Sequence, residues 1–171
     1  MHPLVKLARS AVENYVKSGT VIAVPQDFPE EFLNRKAGVF VTIEKDGELR
    51  GCIGTYLPYY ENVAREIVMN AMAAAGKDHR FGPVKENELP HLAFTVYILN
   101  EPEAVGSLNE LDPKKYGVIV ESDKGNIGLL LPGLSGVDSV ELQLSIACDK
   151  ADIYPDKEKI SINKFTVEKY Q

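Results

Sequence analysis

The sequence predicts an α+β fold in which a mostly antiparallel sheet with hairpins is flanked by about three helices. Two pairs of alternating segments, joined at Asp46-Gly47 and across residues 122–126, read as hairpins. Three other segments carry apolar residues at three- and four-residue spacing, the period of a helix with one buried face. In chain order the signals run helix, hairpin, helix, strand, hairpin, helix, strand, which is not the regular alternation of a parallel sheet.

The first helix opens at Pro3, carries Leu4, Leu7, Ala8, Ala11, Val12 and Tyr15 on one face, and stops at Ser18-Gly19. Residues 20–36, with Pro25 and Pro29, read as an ordered loop or short turn. Val39, Val41 and Ile43 alternate with Phe40, Thr42 and Glu44 before the Asp46-Gly47 turn, and residues 48–55 form the returning strand. The second helix is expected over residues 60–75, with Val63, Ile67, Ala71 and Ala74 on one face and Gly76 as its stop. Residues 92–99 are apolar on both sides and predict a central strand covered on both faces. A second hairpin joins 118–120 to 127–131. A third helix over 139–148 presents Val140, Leu144 and Ala147, with Leu142 and Ile146 flanking, and residues 160–170 read as one last strand.

Composition narrows the function classes. At 171 residues and 44% hydrophobic content the chain fits one globular domain over 1–171. Its 19 Lys and Arg stand against 25 Asp and Glu, a net charge of −6. That balance argues against a duplex nucleic-acid binder that works by neutralising phosphates. Cys52 and Cys148 are far apart and show no disulfide framework. Lys6 and Arg9 interrupt the N-terminal segment, and no run of about 18 apolar residues exists. A cytoplasmic protein that avoids membranes is expected.

The densest chemistry is Leu49-Arg50-Gly51-Cys52-Ile53-Gly54. On a regular strand Arg50 and Cys52 point to one face. A thiol of ordinary pKa is only a few per cent thiolate at neutral pH, so a nucleophilic cysteine needs a cation, a base or a helix N-terminus. Arg50 is the expected cation; lowering the thiol pKa by about one unit would raise the thiolate fraction to about a quarter. Gly51 and Gly54 would admit a ligand or a second backbone. The competing reading makes Cys52 a small buried hydrophobe and the glycines packing devices.

A second cluster, Lys77-Asp78-His79-Arg80-Phe81-Gly82-Pro83, gathers a carboxylate, an imidazole and cations on a turn, suiting a general base or an anion clamp. Its alternative is a solvated loop in which Asp78 and Arg80 pair to fix the turn. His2, His79 and His91 show no metal-ligand spacing, so no metal is expected, and no cofactor. Gly125, Gly128, Gly133 and Gly136 match neither phosphate-binding nor dinucleotide patterns, and there is no Gly-x-Ser-x-Gly elbow.

The hexapeptide 49–54 resembles the signature of the AMMECR family, also called AmmeMemoRadiSam system protein A. Supporting segments lie in the family's order: Gly38-Val39-Phe40-Val41-Thr42-Ile43 before it, an Asp78-x-Arg80-Phe81 turn after the alanine-rich helix, then Gly128-Leu129-Leu130-Leu131-Pro132 and Cys148-x-Lys150-Ala151. Two positions depart from the pattern: His79 stands where proline is common, and Asp152 where glycine is common. The first departure demotes His79 as a base and promotes Cys52, Arg50, Asp78 and Arg80 as catalytic candidates, with Leu49, Gly51, Ile53, Gly54 and Phe81 as signature or ligand-binding positions.

The resemblance implies an α+β fold without an established activity. It also implies association with a Memo-type protein, related to extradiol dioxygenases, and with a radical SAM protein. A chain that runs from His2-Pro3 straight into a helix would suit a domain excised from a fusion with the former. Two functions stay open: a site with a reactive cysteine acting on a small molecule or modified residue, or a non-catalytic interaction domain for those partners.

Overall fold

Pro3 occupies the first turn of helix α1 (Pro3–Ser18), where its missing N–H costs nothing, and the His2 side chain accepts the Leu4 amide ahead of it. Gly19 ends the helix in the left-handed conformation, φ 70°, and returns its N–H to the Tyr15 carbonyl. The computed structural model describes residues 1–171 and divides into two compact units, residues 1–99 with 168–171, and residues 100–167.

In the first unit, a one-turn helix α2 (Glu30–Leu33) lies within the expected loop. Strands β1 (Val39–Lys45) and β2 (Glu48–Thr55) form the first hairpin on Asp46 and Gly47, whose φ values of 51° and 84° are the paired left-handed conformations of a tight hairpin turn. Val39, Val41 and Ile43 are fully buried in the core formed with α1 and helix α3 (Val63–Gly76).

Helix α3 starts later than residue 60. Asn62 caps it through the Arg65 amide at 2.9 Å, while the amides of Tyr59 and Tyr60 are drawn to the Glu66 carboxylate at 3.0 and 2.8 Å. Strand β3 (Leu92–Leu99) lies inside the sheet as expected, and Thr95 and Leu99 are buried on the face away from Val96; Ala93 is exposed.

The second unit holds β4 (Glu103–Ala104), β5 (Gly117–Ser122), β6 (Ile127–Leu130), helix α4 (Val140–Lys150) and β7 (Ile160–Phe165). The expected face of α4 holds in part: Ala147 is buried and Val140, Leu144 and Ile146 pack against the core, but Gln143 and Cys148 are buried as well and Leu142 is 41% exposed. The Gln143 amide donates to the Tyr116 carbonyl at 2.8 Å, so a polar residue occupies the packed face.

Residues 160–170 are not one strand. The segment breaks at Thr166 into β7 and β8 (Val167–Tyr170), which belong to different sheets, ordered β4-β7-β5-β6 and β2-β1-β3-β8. Phe165 packs against Gly117 on β5, whereas Glu168 is clamped by Arg35 at 2.6 Å and Tyr170 stacks on His2. Alternation continues across the break, which is why the sequence conceals it. The antiparallel character is thus spread over two four-stranded sheets. Asp152 has φ 53°, so the position where the resemblance expects glycine does adopt a left-handed backbone, which aspartate tolerates better than most residues.

Candidate functional site around Cys52

Strand β2 is an edge of its sheet, and Thr42 of β1 faces Cys52 in register. The Thr42 hydroxyl donates to the Cys52 sulfur at 3.2 Å. Register continues the row onto Thr95 of β3, whose hydroxyl accepts from the Gln171 side chain at 3.3 Å. This polar row runs along the sheet face opposite Val41 and Val96. Cys52 is half-buried and in no disulfide.

The outward side of β2 at Cys52 is occupied by the 78–81 turn. The Asp78 carboxylate accepts the Cys52 amide at 2.9 Å, and the Arg80 guanidinium reaches the Cys52 carbonyl at 3.4 Å. An ion pair therefore takes the place of a neighbouring strand at this residue, blunting an exposed edge. Asp78 is 3% exposed and holds Arg80 through both oxygens, at 3.0 and 2.7 Å. The Arg80 hydrogen bond, against the effect of burial and aided by the Cys52 and Arg80 amides, lowers its pKa to about 2. A carboxylate with that pKa and no spare proton affinity positions the strand and the arginine; it does not serve as a base at neutral pH.

Arg80 keeps its charge: its pKa is raised chiefly by the bond to Asp78, with burial opposing and the Cys52 sulfur adding to the rise. Its side chain is 46% exposed and lies over the Phe81 ring at 5.4 Å. Tyr97 also senses Cys52; its pKa is raised first by burial, then by Cys52 and Glu44.

Arg50 is placed differently from the sequence expectation. Glu44 pairs with Leu49 and Ile43 with Gly51, so Arg50 is the extra residue of a β-bulge. Bulges re-aim side chains. Arg50 grips the Glu88 carboxylate at 2.9 and 3.0 Å and the carbonyls of Gly82 and Pro83 at 2.9 and 3.1 Å. Glu88 also accepts from Lys45 and the Lys85 amide, and the Arg50 bond, opposed by burial, lowers its pKa to about 2. The charge of Arg50 is committed to the 82–88 segment, and the cation at Cys52 is Arg80.

The signature positions have distinct duties. A Cβ on Gly51 would fall on the Ala74 carbonyl oxygen, so this glycine lets α3 lie directly on β2; one on Gly54 would enter the Phe40 ring. Ile53 packs on the core, and Leu49 is 44% exposed. Phe81 closes the turn through its amide to the Asp78 carbonyl. His2 caps α1, His91 lies 3.5 Å from Asp46, and His79 is exposed; no three His, Cys, Asp or Glu side chains converge as a metal site. Sequence reasoning missed Thr42, Tyr97, Glu66 and Glu88.

The other cysteine contrasts with Cys52. Cys148 is 4% exposed beside a groove of about 620 Å³ in the second unit, lined also by Leu144, Ile153 and Ile162. Burial first, then Asp149 and Glu158, pushes its thiol pKa up.

Residues 5–170 match the family model AMMECR1. The chain belongs to the AMMECR1 family. A Thermotoga maritima protein is 54% identical over 99% of this AMMECR1 chain and 98% of its own length. A longer protein of Clostridium acetobutylicum is 47% identical over 99% of this chain, which spans only 36% of that relative. The crystal structure of an uncharacterized protein from Pyrococcus horikoshii superposes with a TM-score of 0.89 at 35% identity, covering 97% of this chain and 88% of the other. The α+β architecture of the AMMECR1 chain is therefore that of a solved relative. None of its helices is long and apolar enough to cross a membrane.

Proposed function

We propose that the AMMECR1 domain works through Cys52 as a nucleophile acting on an electrophilic small molecule or modified residue. The observation that carries this reading is the Thr42 hydroxyl donating to the Cys52 sulfur at 3.2 Å. A donor aimed at sulfur, with the Arg80 cation nearby, stabilises negative charge there. In this reading Arg80 replaces Arg50 as the assisting cation, Thr42 joins the site, and Asp78 positions both Arg80 and the strand.

The test is alkylation of the full chain by iodoacetamide across pH, followed separately at each cysteine by mass spectrometry. Cys52 should react faster than a free thiol at neutral pH, and Cys148 far more slowly. Thr42→Val should slow Cys52 on the order of fivefold, the worth of one hydrogen bond. A Cys52 rate that follows an ordinary thiol and ignores Thr42→Val overturns the reading.

A second reading is favoured by the Clostridium relative, in which a homologous segment is 36% of a longer chain. Here the domain is an accessory part of a larger system, with the Memo-type and radical SAM proteins as its partners, and Cys52 serves packing. Pull-down with purified, folded partners tests it: Arg50→Ala should weaken association while Cys52→Ser leaves it intact. Absence of association with the unaltered chain counts against it.

A further inference from the structure

Arg80 has more hydrogen-bonding capacity than its partners use. Its Nε and Nη2 donate to Asp78, and Nη2 also reaches the Cys52 carbonyl. Nη1 donates to nothing in the protein, although the guanidinium is fixed by four contacts, two oxygens of one buried carboxylate, one carbonyl and the Phe81 ring. A cation held rigid with one edge left over loses little entropy when it takes a ligand. That edge belongs to the residue that already contacts Cys52. Asp78 takes the Nε and Nη2 edge and leaves Nη1 open to an anion, while its own charge offsets part of the attraction.

We infer that the substrate of the Cys52 site carries a carboxylate or similar small anion next to its electrophilic carbon, held by the free Nη1 edge of Arg80 while the Cys52 thiolate, its proton lost to water, bonds to that carbon and the displaced group leaves with the bonding pair. The inference rests on Cys52 being the reacting group. It makes Arg80 both a binding residue and the charge that steadies the thiolate, and it assigns the anionic end of the substrate to the β2 edge. A neutral or cationic electrophile gains nothing there.

Two alkylating agents that differ only in charge provide the test. In each, the Cys52 sulfur forms a bond to the methylene carbon and iodide leaves with the bonding pair, but iodoacetate is an anion and iodoacetamide is neutral. The rate ratio of iodoacetate to iodoacetamide at Cys52 in the full chain is compared with the same ratio for N-acetylcysteine. The expected result is a ratio about three- to fivefold higher at Cys52, the range of an exposed ion pair, falling toward the free-thiol value as salt is raised. Arg80→Gln should abolish the difference and Arg80→Lys should retain part of it. The salt series on the unaltered chain needs no variant to fold. A rapid Cys52 with the free-thiol ratio overturns the anion inference and leaves the nucleophile reading standing. A Cys52 slow toward both reagents overturns both.

Discussion

The carboxylate of Asp78 accepts the backbone amide of Cys52 at 2.9 Å, tying a buried turn residue to the edge of the signature strand. The same group holds Arg80, so one carboxylate fixes the position of the thiol and of the cation beside it. Removing it leaves an edge amide and a guanidinium without their acceptor. Asp78→Ala should destabilise the protein by about 2 kcal/mol, and Asp78→Asn by less, since its amide oxygen can still accept from Cys52. Urea unfolding midpoints measure both. Equal midpoints for all three proteins would show that the turn contributes nothing to the fold.

Acid should unfold the protein over a defined window. Asp78 and Glu88 both have native pKa values lowered to about 2, from ordinary values of 3.8 and 4.5. A group whose native pKa is depressed contributes its stability above the unfolded value and loses it as pH falls toward the native one. Stability should therefore be constant from neutral pH down to about 5, then fall between about 4.5 and 2. Thermal unfolding as a function of pH reads this directly, and the slope should flatten in Asp78→Asn and Glu88→Gln. A slope unchanged in both variants would place the acid sensitivity elsewhere.

Close approach, not backbone freedom, explains Gly51. Its Cβ position is filled by the Ala74 carbonyl of α3, whereas nothing lies within 4 Å of a Cβ on Gly47, which instead needs its φ of 84°. Gly51→Ala must push the helix off the sheet and should cost about 1–3 kcal/mol, with altered near-ultraviolet circular dichroism from the shifted packing. Gly47→Ala should cost about 1 kcal/mol and leave that spectrum alone. The opposite ranking of spectral change would mean that α3 does not rest on Gly51.

Much of this was readable in the chain. The first hairpin, the helix boundaries at Pro3 and Gly19, the three longer helices and the family signature all depend on local patterns. What was hidden depends on long-range register. Counting back from the Asp46-Gly47 turn without a bulge pairs Cys52 with Val41; the shift between Ile43 and Glu44 pairs it with Thr42 instead. Nothing in Thr42 itself marks it as the sulfur's hydrogen-bond donor. Nothing in the pattern around Glu66 or Glu88 marks either as a shared acceptor, yet Glu66 takes the Thr55 hydroxyl and the Tyr60 amide, and Glu88 takes Arg50 from 38 residues away. The break at Thr166 was invisible because side-chain alternation does not record which sheet a strand joins.

The bulge also separates a structural role, which Arg50 fills, from the charge at the thiol that the sequence assigned to it. Arg50 bridges Glu88 and two carbonyls of the 82–83 loop, and its partner Glu88 is only 11% exposed. Arg50→Ala would leave that carboxylate with Lys45 as its sole side-chain partner and strip two carbonyls of their donor. Breaking a pair this enclosed should cost about 2–3 kcal/mol, below the full penalty of a dry site because Lys45 remains. The alkylation rate of Cys52, in contrast, should stay within about twofold of the unaltered protein, since one lost hydrogen bond would be worth more than that. Arg80→Gln should do the reverse at the sulfur, slowing Cys52 toward iodoacetate. Urea unfolding and site-resolved alkylation on the two variants therefore form a crossed pair. If Arg50→Ala slows Cys52 as much as Arg80→Gln does, Arg50 reaches the thiol after all and the bulge has not separated the roles.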